Sequence, residues 1–226
     1  MIKVRRKAEH GNINHGWLDT YHHFSFANFF DPKKMGYGPL RVLNDDYIHG
    51  ETGFDMHPHR DMEIVTYVIE GTLTHQDSLH NERQVTRGQV QYMSAGTGIF
   101  HSEHNKEEET LRLLQIWIIP RVMGGLPNYG DFLFKKEDRE NKWLHFVGQN
   151  AEVKLNQDVN FYVTESNEPF EFKCLHGRQV YVVNIEGETT VNGVTLEIGD
   201  ALMADEDLSF KPLSTSHVLV IEMKKT

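Results

Sequence analysis

The chain has 226 residues, 38% hydrophobic and 25% charged, enough for one large domain or two of ordinary size with a proper core. Its 33 acidic residues against 23 basic ones give a formal charge of −10, which disfavours direct binding of a nucleic-acid backbone and leaves a protein partner open. A single cysteine, Cys174, excludes an internal disulfide. No apolar run is long enough to span a bilayer, and no apolar segment follows the basic start of the chain, so the expectation is a cytoplasmic protein without a membrane partner.

Strand signals dominate from end to end. Asp31 to Met35 suggests one short helical turn. Runs rich in Val, Ile, Tyr, Phe and Thr follow at Ile64 to Ile69, Gln89 to Met93 and Leu111 to Ile119, each bounded by Gly, Asn or Asp. Gly124-Gly125-Leu126-Pro127 interrupts the pattern, and the expected domains are residues 1–122 and 123–226. Lys135 to Leu144 suggests a helical turn or two, after which strands resume at Gln179 to Ile185 and Val218 to Met223. Closely spaced strands with tight turns predict an all-β fold of antiparallel sheets, a sandwich or barrel.

The two halves resemble faded copies. Tyr67-Val68-Ile69-Glu70-Gly71-Thr72 reappears as Val183-Asn184-Ile185-Glu186-Gly187-Glu188, and the later Gly88-Gln89 has a counterpart in Gly199-Asp200. The copies differ where chemistry is concentrated. His57 and His59 precede Gly71 at offsets that fall on Lys173 and Leu175 before Gly187, and His101 follows Gly88 at an offset that falls on Pro212 after Gly199. His176 and His217 lie near the right places without partners two residues away. One metal per chain, in the first half, is the expectation.

That expectation rests on two motifs among fourteen histidines. In a strand, residues i and i+2 share a face, so His57-Pro58-His59 aims two imidazoles into one space, and His101-Ser102-Glu103 adds an imidazole and a carboxylate. Any one of these could be an ordinary strand histidine; the paired motifs point to metal. Three nitrogens and one oxygen suit Fe(II), Ni(II), Cu(II), Mn(II) or Co(II), and can take Zn(II), with positions left open for a substrate. Glu63 shares parity with His57 and His59 if the strand is unbroken; it could replace Glu103, orient a histidine, or simply pair with a cation such as Arg60. His75 and His104 either line the pocket or face solvent, with solvent the expectation for His104. Gly96 and Gly98 allow a tight bend before His101. Without a lysine and a following helix, this segment is not a phosphate cradle.

Gly53-x3-His57-Pro58-His59-x3-Glu63 with Gly71, then Gly88-x7-Gly96-x4-His101-x3-Asn105, resembles the two cupin motifs, with Ser94 in place of the usual proline of the second. HGWLDTYHHFSFA from His15, HPHRDMEIVTYVIEG from His57 and SAGTGIFHSE from Ser94 resemble the pirin family across essentially the whole chain. The resemblance implies a bicupin, two antiparallel β-barrels of cupin or jelly-roll type, with one metal in the N-terminal barrel. Its ligand pattern maps onto His57, His59, His101 and Glu103, which favours Glu103 over Glu63. Bacterial members are associated with quercetin 2,3-dioxygenase activity, eukaryotic ones with nuclear transcription co-regulation through an iron site. Asp61-Met62, where Gly-Phe is common, favours the bacterial branch.

What the resemblance implies is therefore a metal-dependent dioxygenase, with iron as the first expectation, that cleaves a flavonol such as quercetin with O2 and releases CO. Glu103 would accept the 3-hydroxyl proton, or Glu63 if Glu103 is firmly ligated. Phe24, Phe26, Phe54, Met93 and Phe100 are candidates for an apolar pocket, though each could equally be core. The alternative is a non-enzymatic metal-binding regulator acting through a protein partner.

Overall fold

The computed structural model describes residues 1–77 and 82–225. Its strands, in chain order, begin with β1 (Lys3–Arg5), β2 (Gly11–Asn14), β3 (Leu18–His22), β4 (Leu40–Ile48), β5 (Thr52–His59), β6 (Glu63–Glu70), β7 (Thr72–Asp77), β8 (Glu82–Thr86), β9 (Val90–Ser94), β10 (Ile99–Asn105), β11 (Leu111–Ile118) and β12 (Asn128–Phe132). They continue with β13 (Leu144–Val147), β14 (Val159–Ser166), β15 (Phe170–Phe172), β16 (Arg178–Glu186), β17 (Thr189–Val191), β18 (Val194–Leu196), β19 (Ala201–Ala204), β20 (Leu208–Pro212) and β21 (Ser216–Lys224). Among the described residues, no helix is long and apolar enough to cross a membrane.

The chain forms two compact units, Gly11–Phe134 and a second made of Met1–His10 with Lys135–Thr226. The first unit has a seven-stranded sheet, ordered β12-β9-β6-β11-β4-β3-β2, and a four-stranded sheet, β5-β10-β7-β8. The second has β1-β19-β16-β21-β14-β13 and β15-β20-β17-β18. The central order β9-β6-β11-β4-β3 therefore returns as β19-β16-β21-β14-β13, and the smaller sheet returns strand for strand. This is the duplication expected of a bicupin. The copies differ at their edges: β12 extends the first unit at β9, whereas β1 pairs with β19 of the second.

The strands form where β-branched and aromatic residues recur, but β6 does not alternate between polar and apolar. Ile64 to Ile69 are all buried, so both faces of this strand are covered. The glycines that mark the repeat have a steric cause. Gly71 and Gly187 both take positive φ, 80° and 73°, in the turns after β6 and β16. A Cβ on Gly187 would lie 2.2 Å from the Thr215 carbonyl oxygen.

The two expected helical segments shrink to single turns. Lys135 to Leu144 contributes a single 3-10 turn, Lys136–Asp138. Asp31 to Met35 goes no further than the turn closed by the Lys34 amide on the Asp31 carbonyl, because Pro32 offers no N–H and the Asp31 carboxylate accepts from the Lys33 amide at 2.9 Å.

Apolar residues close one end of the first unit's interior: Leu18, Ile48, Val68, Leu73, Val85, Leu111 and Leu113 form one cluster, with Trp17 and Phe54 packed against it. The second unit is filled instead by Val180, Val182, Leu202, Phe210, Val218 and Val220 with their neighbours.

Candidate metal centre

β5 and β10 run antiparallel in the small sheet of the first unit, with Ile99 opposite His59 and His101 opposite His57. Cross-strand partners share a face, so His57, His59 and His101 converge. Their ring centroids are separated by 4.8 Å, 4.4 Å and 4.9 Å. One donor atom from each lies within 4.8 Å of the others, and among the described residues this is the group of histidine, cysteine and acidic side chains arranged to hold a metal ion. His101 is fully buried while His57 and His59 are half-buried, so the cluster has a closed side and an accessible side.

Hydrogen bonding leaves the outer nitrogens available. His57 Nδ1 lies 2.7 Å from the Asp55 carbonyl oxygen, which can only accept, so Nδ1 carries the proton and Nε2 keeps its lone pair. His101 Nδ1 lies 3.0 Å from His75 Nε2. Its own Nε2 is buried without a hydrogen-bond partner. Burial, reinforced by His57 and His75, pushes the His101 imidazole down to about 3. Burial, then His101 and His57, pushes His59 down to about 4, against a small opposing pull from Glu103. These imidazoles are thus neutral near pH 7, the form that ligates. A buried, unpartnered nitrogen among neutral imidazoles fits a divalent transition metal.

Glu103 is buried on the same strand and anchored rather than free. Gln115 Nε2 donates to its Oε2 at 2.9 Å, and the Thr66 hydroxyl lies 3.2 Å from Oε1. Thr66 and Gln115 belong to a polar row across the large sheet, His22, Asn44, Gln115, Thr66 and Gln91, each opposite the next in register. Two residues along from Asn44, Asp46 accepts a hydrogen bond from the Thr20 hydroxyl. Complete burial raises the Asp46 carboxyl to about 7, against the Thr20 bond and with smaller help from Asp45 and Glu103. On the side of the row away from Asp46, Trp117 stands edge-on to His59 at 4.8 Å, and Phe26 packs on Trp117 at 5.2 Å. The interior is thus layered: apolar base, polar belt, then histidines beside an aromatic wall.

Residues 2–118 of the chain match the family described as Pirin. The chain belongs to the pirin family. Residues 147–223 match the quercetinase C-terminal cupin domain. A relative named quercetin 2,3-dioxygenase, from Escherichia coli K12, is 42% identical over 228 residues, 99% of each chain. A pirin-like protein of Caulobacter vibrioides is 43% identical over 196 residues, 84% of each chain. The crystal structure of the bacterial pirin YhhW from Escherichia coli in complex with nickel(II) matches all of this chain with a TM-score of 0.93 and 40% identity, and is itself covered completely.

As expected, His57, His59 and His101 come together; Glu103, on β10 with His101, lies outside the group of three but is tied to the polar belt. Glu63 does not join them. The parity that would align it requires one unbroken strand, but β5 ends at His59, Asp61 takes φ 50°, and β6 begins afresh at Glu63. Glu63 accepts from the Tyr92 hydroxyl at 2.9 Å and from Ser94 at 2.8 Å, on the face of β6 opposite Thr66. His75 is buried against His101, and His104 turns towards Asp55 at 3.6 Å.

The aromatic candidates divide. Phe54 lies 6.1 Å from His57, brought there by a bulge that sets Glu103 opposite Phe54 rather than Asp55. Phe26 reaches the site through Trp117. Phe24 and Met93 are fully buried, and Phe100, 50% exposed, lies next to His101 on the alternate face of β10. Sequence reasoning missed Gln115, Thr66 and Trp117. The available signal was a polar side chain inside an otherwise apolar strand, Gln115 in LRLLQIWI and Thr66 in EIVTYVIE.

In the second unit, Lys173 is exposed and paired with Asp207 at 3.0 Å, Leu175 is exposed, Pro212 ends β20, and His217 is buried beside Glu186 at 2.9 Å. Among the described residues, no second group of this kind arises there.

Proposed function

We propose that the chain is a metal-dependent dioxygenase that cleaves flavonols such as quercetin with O2 and releases CO. The observation that carries this reading is the cluster of three converging imidazoles, closed on the His101 side and accessible beside His57 and His59. The 42% identical relatives named quercetin 2,3-dioxygenase support the reaction, and the nickel(II) in the YhhW complex supports a divalent transition ion. His57, His59, His101 and Glu103 would hold one ion per chain. We assign Fe(II) first, with Ni(II), Cu(II), Mn(II), Co(II) and Zn(II) compatible with the same donors.

When bound, the cation supplies positive charge that stabilises the deprotonated 3-hydroxyl of the flavonol. The protein's own residues do the rest. Glu103 accepts the hydroxyl proton, and Gln115 and Thr66 hold its carboxylate in one orientation. Glu63, directed to the other face of β6, takes no part. Trp117, Phe26 and Phe54 bind the flat apolar rings and exclude water. Over the whole reaction, C3 leaves as CO and both atoms of O2 remain in the depside ester.

The test is metal-loaded protein mixed with quercetin in air, following loss of flavonol absorbance together with CO release. Stoichiometric turnover that disappears in His57→Ala and His101→Ala supports the reading. A fully loaded protein inert towards a panel of flavonols overturns it and leaves a metal-binding protein that acts through a protein partner.

A further inference from the structure

His75 is a buried histidine of the first unit, in contact with His101, to which this function gives no role. It enters the site on β7, whose pairing with β10 sets His75 opposite Glu103 and Asp77 opposite His101. Its Nε2 reaches diagonally to His101 Nδ1 at 3.0 Å. Its ring is stacked on Tyr129, with centroids 4.7 Å apart and planes 17° from parallel, so its orientation is set by packing.

A histidine that ligates through Nε2 must carry its proton on Nδ1, and that N–H needs an acceptor. In metal sites the acceptor is usually a carboxylate, a backbone carbonyl or water. Here it is a second imidazole. We infer that His75 is a positioning residue for the metal centre, accepting the His101 Nδ1 proton and holding His101 Nε2 towards the ion as a neutral donor. This inference rests on the proposed metal centre and adds what sets its electronic character. A carboxylate partner draws the proton away and gives the ligand imidazolate character, which favours the higher oxidation state of a bound metal. A neutral imidazole draws it less. The Asp55 carbonyl, also uncharged, plays the same part for His57. Two of the three histidines are thus backed by neutral acceptors, an arrangement that favours the divalent state.

Co(II) affinity, measured by competition with a chromophoric chelator, separates this role from simple packing. His75→Leu removes the acceptor and is expected to weaken Co(II) binding 10- to 100-fold, the range typical for loss of such a partner. His75→Gln restores an uncharged acceptor and is expected to stay within about threefold of the unsubstituted protein. His75→Glu supplies a charged acceptor, and its iron-loaded form is expected to have a lower Fe(III)/Fe(II) potential than the unsubstituted protein. A folded His75→Leu variant that binds Co(II) as tightly as the unsubstituted protein overturns the inference and leaves the metal centre standing. If the Leu variant does not fold, a Gln variant that folds yet binds tenfold more weakly overturns it equally. Failure of the unsubstituted protein to bind Co(II) overturns the metal centre and the inference with it.

Discussion

Gln115 and Glu103 face each other across the interior of the first unit, the amide nitrogen donating to the carboxylate at 2.9 Å with both residues buried. One strand belongs to the large sheet and the other to the small one, so this contact ties the polar belt to the strand that carries His101. A buried carboxylate left with one donor fewer pays a desolvation penalty. Gln115→Leu is therefore expected to cost about 1–3 kcal/mol in urea unfolding and to lower kcat for flavonol cleavage more than it raises KM. Unchanged kcat would show that the orientation of Glu103 is unimportant.

Asp46 gives a pH signature. Its carboxyl rises from the ordinary range to about 7 on burial, so between about pH 4 and 7 the folded protein holds a proton that the unfolded chain has released. Stability from this group is full below pH 4 and is lost as pH rises to 7. Asp46→Asn removes the dependence. The stability difference between variant and parent should shift towards the variant by about 3 kcal/mol between about pH 4.5 and 7.5, from the linkage of roughly 1.4 kcal/mol per unit of pKa. Urea titrations of both proteins at pH 4.5 and 7.5 measure it, and parallel pH profiles would contradict it.

The fold and the centre were legible to different depths. The duplication showed in the Glu-Gly turns, because Gly71 and Gly187 sit where the backbone takes positive φ, and at Gly187 a side chain also has no room. The histidines showed because alternation along β5 and β10 is a local property. Glu63 stayed open in the sequence, since nothing in Arg60-Asp61-Met62 announces that the strand breaks before it. The bulge that brings Phe54 towards His57, the pairing of β1 with β19 and the contact of Gln115 with Glu103 all depend on strand register, which no short window of sequence encodes.

Trp117 offers an optical readout. It is edge-on to His59, whereas Trp17 packs against the apolar base and Trp143 belongs to the second unit. Binding of Ni(II) or Co(II) is expected to quench tryptophan fluorescence, and Trp117→Phe to remove most of that response while leaving metal affinity within about threefold. Quenching that survives in the Phe variant would locate the ion elsewhere.

Two turn glycines of the second unit separate backbone strain from crowding. Gly187 and Gly193 both have positive φ, 73° and 85°, but a Cβ on Gly193 meets nothing within 4 Å, whereas one on Gly187 meets the Thr215 carbonyl. Gly193→Ala should cost about 1 kcal/mol. Gly187→Ala should cost at least 2 kcal/mol more, roughly the penalty of an overpacked site. Equal losses in thermal unfolding would show that the turn relaxes freely.

The most direct test of the metal centre is equilibrium dialysis of the chelator-stripped protein against Ni(II) or Fe(II) under anaerobic conditions, with metal quantified by elemental analysis. One ion per chain is expected for the unsubstituted protein, and binding should weaken by at least about a hundredfold in His57→Ala, His59→Ala and His101→Ala, each of which loses a ligand. A His101→Ala variant that retains one tightly bound ion would contradict the account.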